Sequence, residues 1–378
     1  MKKEKIISAA IGVIILIVVI IIAVAIKNKS AFTNNTIEVT GAVGGGKENL
    51  LADEEINQLF AKKYGFRFTQ DSWSNGKTVV VDVKRENGDK YDLIFFSDRR
   101  YYEEYQTDED PSLGEAPRYR VVSGDYVLNT PIVMYSWKPV VNALIKENIV
   151  TVKNGVHYIT DMKKLMQYIL DGKKWSDLGL DIYGSVNIGS VDPVTSSPGA
   201  TYYGLLLATL VDSDINDKTI SEALPKLKEF YQKSGYMNNT PADLFSFFLK
   251  TGMGTKPIIV DYEKSIIDFA NANPEGWKQV KEDVVILYPT PTIWNSHCIA
   301  ALSDNGKLLI DAFKDQEISQ IAWSKYGFRV GITGGNYDVS AVDINGIPSR
   351  IDNVTDGLTK MEYYDRVINC LSGKDACN

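Results

Sequence analysis

Histidine and cysteine are scarce in this sequence, with two histidines and three cysteines among 378 residues. Two histidines exclude a multi-histidine metal centre and leave few candidates for a histidine-dependent catalytic site. Three cysteines exclude a disulfide scaffold. Cys370 and Cys377 lie close together near the C-terminus, and the sequence leaves open whether they form a small disulfide or remain free thiols.

An excess of basic charge is also missing. The formal net charge is -7, whereas binding to a phosphate backbone needs clustered lysine and arginine. We therefore expect no nucleic-acid partner. Hydrophobic residues make up 44% of the chain and charged residues 24%, which suffices to bury a core and keep the surface solvated. The length allows one large two-lobed body or two ordinary domains.

The longest apolar run without a charged residue is Ile6–Ile26, with lysines on both sides. About 20 apolar residues span a hydrocarbon core of about 30 Å, so we interpret residues 6–26 as a transmembrane anchor in contact with the lipid bilayer. Because basic residues stay inside, residues 1–5 form a cytoplasmic stub, residues 27–35 a tether, and the remaining chain lies outside the cell. The alternative is a cleaved secretory signal, whose apolar region usually has about 7–15 residues.

Beyond the tether, strand-like and helix-like segments alternate, which favours a mostly parallel sheet covered on both faces. The pattern leaves Tyr101–Asp110 open between helix and loop. Extended apolar segments predict the strands Ile37–Val43, Phe66–Thr69, Thr78–Lys84, Tyr91–Phe96, Tyr126–Tyr135, Ser185–Gly189, Pro257–Val260, Val284–Tyr288 and Ile299–Leu302. Helical spacing predicts the helices Leu50–Tyr64, Val140–Ile145, Met162–Leu170, Tyr202–Leu210, Ala242–Lys250, Lys264–Ala270, Lys307–Tyr326 and Glu362–Leu371.

Three loops at predicted strand ends carry small or polar residues suited to ligand binding. In open parallel sheets ligands bind outside the carboxyl ends of the strands, where helix N-termini also offer free N–H groups. The loops contain Gly44–Lys47, Phe96–Asp98 and Asp192–Gly199. The alternative for each is an ordinary turn or N-cap. Of four aromatic residues near strand ends, Trp73, Tyr135, Trp137 and Trp294, we expect some to line a cleft.

Motifs for covalent chemistry are absent. His297 and Cys298 are neighbours on a predicted strand, so their side chains point to opposite faces and cannot act on each other; we expect Cys298 to be a buried apolar side chain. The carboxylates around Tyr262 have no evident partner across a cleft. Gly44–Lys47 lacks the spacing of a Walker motif. We therefore expect no catalytic residues, no metal ligands and no cofactor.

Several segments, taken in order, resemble the type II periplasmic solute-binding proteins, especially the group of molybdate- and phosphate-type binders. The resemblance implies an α/β fold with two lobes joined by two crossover strands, here Tyr126–Trp137 and Val284–Trp294. Lobe one would comprise residues 36–136 and 287–378, and lobe two residues 137–286. The segments that carry the resemblance are Thr40–Lys47, Thr130–Val133, Ser190–Gly199, Ile258–Glu263, Tyr288–Thr292 and Lys307–Arg329.

The resemblance also implies a function and a set of binding residues. Such proteins capture a solute in the cleft, close over it by a hinge motion and deliver it to an ABC-type permease. This chain differs in having three glycines instead of a hydroxyl directly after the first strand, and in lacking the lipid-anchoring cysteine. The motif positions carry over to Gly45, Gly46, Lys47, Ser97, Asp98, Ser196, Ser197 and Tyr262.

The sequence therefore predicts a membrane-anchored extracellular solute-binding protein. The alternatives are a membrane-tethered adaptor that uses the same body without transport, and an extracellular enzyme. The solute itself stays open. Lys47, Arg99 and Arg100 favour an anion, Asp98 and Glu263 favour a cation, and the aromatic residues favour a sugar or peptide.

Overall fold

The computed structural model describes residues 36–73, 90–107, 121–235, 237–238, 240–331, 335–375 and 377. The predicted anchor Ile6–Ile26 and the predicted strand Thr78–Lys84 lie outside the described residues. Within those described ranges, no helix combines the length and the apolar character needed to cross a bilayer.

Ten strands in the described part of the chain pair in two sheets that share one long strand, β4. The first sheet contains β1, β2, β3, β9, β10 and the beginning of β4, and the second contains β5, β6, β7, β8 and the end of β4. The strands are β1 Ile37–Gly44, β2 Phe66–Trp73, β3 Leu93–Phe96, β4 Ser123–Trp137, β5 Val150–Lys153, β6 Val156–Ile159, β7 Ile258–Tyr262, β8 Val284–Pro289, β9 Trp294–Ala301 and β10 Arg329–Val330.

Helices cover both sheets. Asp53 caps the second helix, accepting hydrogen bonds from two backbone N–H groups, and Gly65 ends it in the left-handed conformation. The α-helices are α1 Glu48–Ala52, α2 Glu54–Tyr64, α3 Arg99–Thr107, α4 Lys138–Lys146, α5 Met162–Leu170, α6 Ser197–Leu210, α7 Asp217–Lys233, α8 Pro241–Thr251, α9 Lys264–Ala272, α10 Pro274–Val280, α11 Lys307–Phe313, α12 Gln316–Tyr326 and α13 Met361–Ser372.

Strand β4 passes from one sheet into the other at Pro131. Residues up to Pro131 pair with β9 in the first sheet, and residues from Ile132 pair with β7 and β8 in the second. Proline lacks an N–H group and interrupts a ladder of hydrogen bonds, so it suits the point where β4 changes partners. The return passage runs from β8 to β9, where the Ile132 N–H donates to the Ile293 carbonyl at 2.9 Å. The two predicted crossover segments therefore do connect the sheets.

The sheets are mixed, so the expectation of a mostly parallel sheet is wrong. Parallel pairing is found between β1 and β2, β1 and β3, and β6 and β8. Strand β9, which returns from the second lobe, pairs antiparallel with β3 and β4 of the first sheet, and the end of β4 pairs antiparallel with β7 and β8 of the second sheet. A crossing strand enters a lobe at the carboxyl ends of the strands there, so it runs in the opposite direction to them.

Most predicted helices are present, with two differences in continuity. The predicted helix Leu50–Tyr64 is divided at Asp53, and the predicted helix Lys307–Tyr326 is divided at Asp315. Each aspartate accepts hydrogen bonds from the backbone N–H groups that follow it, which starts a new helix. Ser185–Gly189 forms only isolated bridges. The hairpin β5–β6 and the helix α7 have no counterpart among the predictions.

Hydrophobic residues form separate clusters in the two lobes. In the first lobe one cluster lies under α1, α2, α11 and α12, and a smaller one lies under α3. The large second-lobe cluster also includes residues from the C-terminal segment, among them Val342, Ile351 and Leu371. The lobe boundaries stay a prediction, but the core packing joins residues 342–371 to the second lobe, whereas the sequence assigned 287–378 to the first. Cys370 and Cys377 form a disulfide at the end of this segment.

A buried ion pair ties the lobes together beside the crossing. Arg329, on β10 of the first sheet, donates from Nε and Nη2 to Glu263, which follows β7 of the second sheet, at 2.6 and 2.8 Å. Their exposed fractions are 1% and 0%. The Tyr288 hydroxyl donates to the same carboxylate at 2.7 Å, and Arg329 also donates to the Pro348 carbonyl at 2.8 Å. Both carboxylate oxygens of Glu263 and most N–H groups of Arg329 therefore have hydrogen-bond partners.

We predict that Arg329→Met lowers the free energy of unfolding by about 3–5 kcal/mol, because it leaves the Glu263 carboxylate buried without its counter-ion. Chemical denaturation monitored by tryptophan fluorescence measures the change. Arg67→Met is the matched control, since Arg67 and its partner Glu38 are both more than half exposed and such pairs contribute about 0–1 kcal/mol. Equal effects of the two substitutions would contradict this role for the buried pair.

Candidate functional site

The carboxyl ends of β1, β3 and β7 meet in the groove between the lobes. Strands β1 and β3 are parallel neighbours, so their loops lie side by side; a Cβ atom on Gly44 would come within 2.4 Å of the Ser97 hydroxyl. The β7 end approaches from the second sheet, because the Glu263 N–H donates to the Pro131 carbonyl at 3.0 Å. The crossing of β4 therefore brings loops from both lobes to one place.

Lys47 enters this groove as a buried ammonium group. Its side chain is 1% exposed, and its Nζ atom donates to the Gly44 carbonyl at 2.6 Å and lies 4.6 Å from the Phe95 ring centroid. No carboxylate in the described part of the chain forms an ion pair with it. Burial lowers the pKa of Lys47 from 10.5 to about 7, against a smaller opposing effect of Glu48. A cation held this way needs an electron-rich partner.

Two further basic groups lie near Lys47. His297 on β9 is 2% exposed, and its Nδ1 atom has no hydrogen-bond partner among the described residues. Burial lowers the pKa of His297 well below its usual value, and the positive charges of Lys47 and Lys264 lower it further. Lys264 lies at the start of α9 in the second lobe, and its Nζ atom is 5.1 Å from the Phe328 ring centroid. Lys47 and His297 of the first lobe and Lys264 of the second lobe therefore lie near one another in this part of the groove.

A second group of polar residues surrounds Arg100 on the other side of the first sheet. Arg100 is 4% exposed, and its Nε donates to Asp98 at 2.9 Å while its Nη2 forms a second hydrogen bond to the same carboxylate. Burial lowers the pKa of Arg100, but the charge of Asp98 and its hydrogen bonds together raise that pKa above its usual value. The guanidinium lies 4.3 Å from the Tyr364 ring centroid. Its Nη1 atom is buried and has no hydrogen-bond partner in the described ranges.

The second lobe contributes Tyr262 and the start of α6 to the same place. Burial raises the pKa of Tyr262, and the Asp98 carboxylate raises it further. Its hydroxyl lies beside Thr201 of α6 but makes no hydrogen bond of good geometry with any described group. The Ser196 side chain does not cap α6, so the first N–H groups of the helix lack that partner. Burial raises the pKa of Tyr101. The contact with Ser197 across the groove lowers the pKa of Tyr101 by a smaller amount.

Two cavities open between the lobes beside these residues. The smaller, which we call the inner cavity, has a volume of about 30 Å³ and is lined by Asp98, Arg100, Thr201 and Asn295. The larger, which we call the outer cavity, has a volume of about 770 Å³ and is lined by Asn129, Ser296, Lys314 and other residues. Arg99, Trp294 and Asp356 line both cavities. The expected cleft aromatic Trp294 therefore does line the groove, whereas Tyr135 and Trp137 lie in the second-lobe core.

The predicted binding residues fall into two groups within one groove. The loop of Gly45, Gly46 and Lys47 lies on one side, where Gly46 adopts a positive φ of 91° and is exposed. Asp98, Ser197 and Tyr262 converge with Arg100 on the other side, close to Ser97 and Ser196. Contact with a ligand remains a prediction for all eight residues. Since Asp98 already bonds Arg100 twice, its carboxylate is less available than the sequence suggested.

The structure adds residues that the motif positions did not include: Arg100, Thr201, His297, Lys264 and Trp294. Arg100 was visible in the sequence as a charge next to the Ser97–Asp98 loop, but its burial depends on packing against α13. Cys298 has an exposed fraction of 0% on the face opposite to His297, which confirms the interpretation as an apolar core residue. Its cluster consists mainly of tyrosine, phenylalanine and aliphatic side chains.

Comparison with known proteins shows what this architecture resembles. No protein-family model and no curated protein sequence matches the chain. Solved structures do match. A protein from Bordetella parapertussis, described as an extracellular solute-binding protein, aligns over 90% of this chain and 99% of its own at 11% identity, with a TM-score of 0.59. The chain has the two-lobed fold of extracellular solute-binding proteins.

Two more solved structures support the same fold. Apo ferric ion-binding protein A from Pasteurella haemolytica aligns over 89% of this chain and 97% of its own at 11% identity, with a TM-score of 0.57. An ABC transporter protein from Clostridium perfringens aligns over 89% and 99% at 15% identity, with a TM-score of 0.54. These neighbours support the solute-binding fold in general and not its molybdate- and phosphate-binding group. Proteins of this kind are generally not enzymes.

We predict that Lys47→Met changes how the stability of the protein depends on pH. Below about pH 7 Lys47 is protonated in both states and the native state carries the whole cost of burying the charge. Between about pH 7 and 10.5 the native lysine loses its proton while the unfolded one keeps it, so wild-type stability rises with pH. The variant, which lacks this group, should exceed the wild type most at pH 6, and its advantage should shrink toward pH 10.

Denaturant unfolding at several pH values measures this difference. Lys62→Met, which removes an exposed lysine from α2, is the control for losing a lysine in general. A stability difference between Lys47→Met and wild type that stays constant from pH 6 to pH 10 would show that Lys47 is not buried as a free cation.

Proposed function

We propose that this chain is an extracellular solute-binding protein that captures a small molecule or ion between its two lobes. The observation that carries the proposal is the convergence of polar groups without partners from both lobes. Among the described residues, Arg100 Nη1 of the first lobe and the Tyr262 hydroxyl of the second have no partner, and the Asp98 carboxylate influences the pKa of both residues. Buried polar groups are normally hydrogen-bonded. A ligand held between the lobes would supply partners for these two groups.

The proposal extends to how the protein works in the membrane. The apolar run Ile6–Ile26 would anchor it to the bilayer as a single-pass helix, with the lobes outside the cell. The solute would be handed to an ABC-type permease, as the likeness to solute-binding proteins suggests. The burial of Arg100 and Lys47 is typical of lobes that have closed, and an open form would expose both to incoming solute. No covalent chemistry is involved.

Thermal unfolding of the full-length protein in detergent, followed by tryptophan fluorescence, tests the proposal. A low-molecular-mass extract of cells and growth medium should raise the melting temperature, because a solute that binds only the native state stabilises it. Absence of any shift over the full concentration range of the extract would contradict solute capture.

Tyr262→Phe removes only the orphan hydroxyl, and we predict that it weakens solute binding by about 2- to 10-fold, the range of one neutral hydrogen bond. The readout is the dilution of extract that gives half of the maximal shift in melting temperature. Tyr183→Phe is the matched control, because the Tyr183 side chain is fully exposed and lines neither cavity. If the two variants behave alike, Tyr262 does not contact the solute.

A further inference from the structure

The inner cavity is lined by hydrogen-bond donors more than by available acceptors. Arg100 lines it, and the Nη1 group of this residue is buried and has no partner among the described residues. Guanidinium nitrogens only donate hydrogen bonds. Thr201, in the second turn of α6, lines the same cavity, and α6 is a 14-residue helix whose N-terminus carries partial positive charge. A group that fills this cavity must therefore bring acceptor oxygens.

The acidic residues of the cavity are already engaged. Asp98 receives the Nε and Nη2 groups of Arg100 as well as the Arg100 backbone N–H. Asp356 lies 3.6 Å from Nη1 of Arg99, which neutralises part of its charge at the cavity edge. Asn295 directs its amide nitrogen to the Ser97 carbonyl at 3.0 Å. Among the described residues, these pairings leave Arg100 Nη1 with free bonding capacity.

The dimensions of the two cavities indicate the shape of the ligand. A volume of about 30 Å³ holds about two or three waters, since each needs roughly 10–15 Å³ by this measure, and therefore also the oxygen atoms of one acidic group. The outer cavity, at about 770 Å³, is far larger and adjoins the inner one at Trp294. Tyr126 and Asn129 add an aromatic and an amide group to its walls. The Arg99–Asp356 contact also lies at this boundary.

We propose that the solute is an organic anion. Its carboxylate or phosphate group enters the inner cavity and accepts hydrogen bonds from Arg100 Nη1, and its larger body occupies the outer cavity against Trp294. This inference rests on the proposed function and narrows it to one chemical class. Asp98 acts as a positioning residue, because its two hydrogen bonds fix the guanidinium plane and direct Nη1 into the cavity.

Fractionation of the extract tests the proposal even though the ligand is unidentified. The low-molecular-mass extract is separated at neutral pH on an anion exchanger into a retained and an unretained fraction, and each is added to the full-length protein. The retained fraction should raise the melting temperature. Treatment of that fraction with alkaline phosphatase distinguishes the two anionic groups, since loss of the shift assigns a phosphate ester and its persistence assigns a carboxylate.

The variant Asp98→Asn/Arg100→Gln removes the guanidinium without leaving a buried carboxylate unpaired. We expect it to need about 10- to 100-fold more retained fraction for half of the maximal shift, the range of a hydrogen bond to a charged group. Arg100→Lys, which keeps the charge but loses the forked geometry, gives a second reading if the double variant does not fold. Arg67→Gln, at an exposed arginine on β2, is the control and should bind as the wild type does.

A shift produced by the unretained fraction would overturn the anionic assignment and leave solute capture standing. Unchanged binding of the retained fraction by both Arg100 variants would overturn the role of Arg100. If neither fraction shifts the melting temperature, the proposed function itself fails. These outcomes distinguish a failure of the anionic assignment from a failure of the proposed function.

Discussion

The structure depends on the buried ion pair between Glu263 and Arg329, which fixes the second lobe to the first at the floor of the groove. Removing two charges from water costs free energy. This cost is recovered only when the ion pair has good geometry and forms further hydrogen bonds. Here Tyr288 and the Pro348 carbonyl supply those bonds. Glu263 lies between Tyr262 and Lys264 in sequence, so the same pair that joins the lobes also positions two residues of the candidate site.

Near this ion pair the groove contains buried polar groups that lack hydrogen-bond partners among the described residues. Within the described part of the chain, Lys47 is buried without a counter-ion, and His297, Arg100 and Tyr262 each retain an unpaired atom. Such groups reduce the stability of the empty protein, and folds tolerate that cost at sites where a ligand completes the bonding. The hydrophobic core clusters of the two lobes carry the stability that makes the arrangement possible.

The sequence predicted local features better than their connections. The glycine turn after β1 and the strand end at Ser97 were visible from turn chemistry. The helix start at Ser197 came only from the family resemblance, because the residue pattern predicted this helix at Tyr202–Leu210. The division of a helix at Asp315 was missed because an aspartate inside a helical pattern reads as a surface residue until its capping bonds are seen. The mixed sheet and the burial of Arg100 depend on β4 crossing between lobes and on contacts with α13, which no local pattern encodes.

Closure of the two lobes over a solute is the central claim, and a distance measurement between them tests it most directly. Lys62→Cys on the first lobe and Asp181→Cys on the second place spin labels at exposed positions, while Cys298 is buried and Cys370 and Cys377 are bonded to each other. Pulsed electron paramagnetic resonance should show a broad distance distribution that narrows, when extract is added, to the separation seen in this structure. An identical distribution with and without extract, despite a rise in melting temperature, would contradict the account.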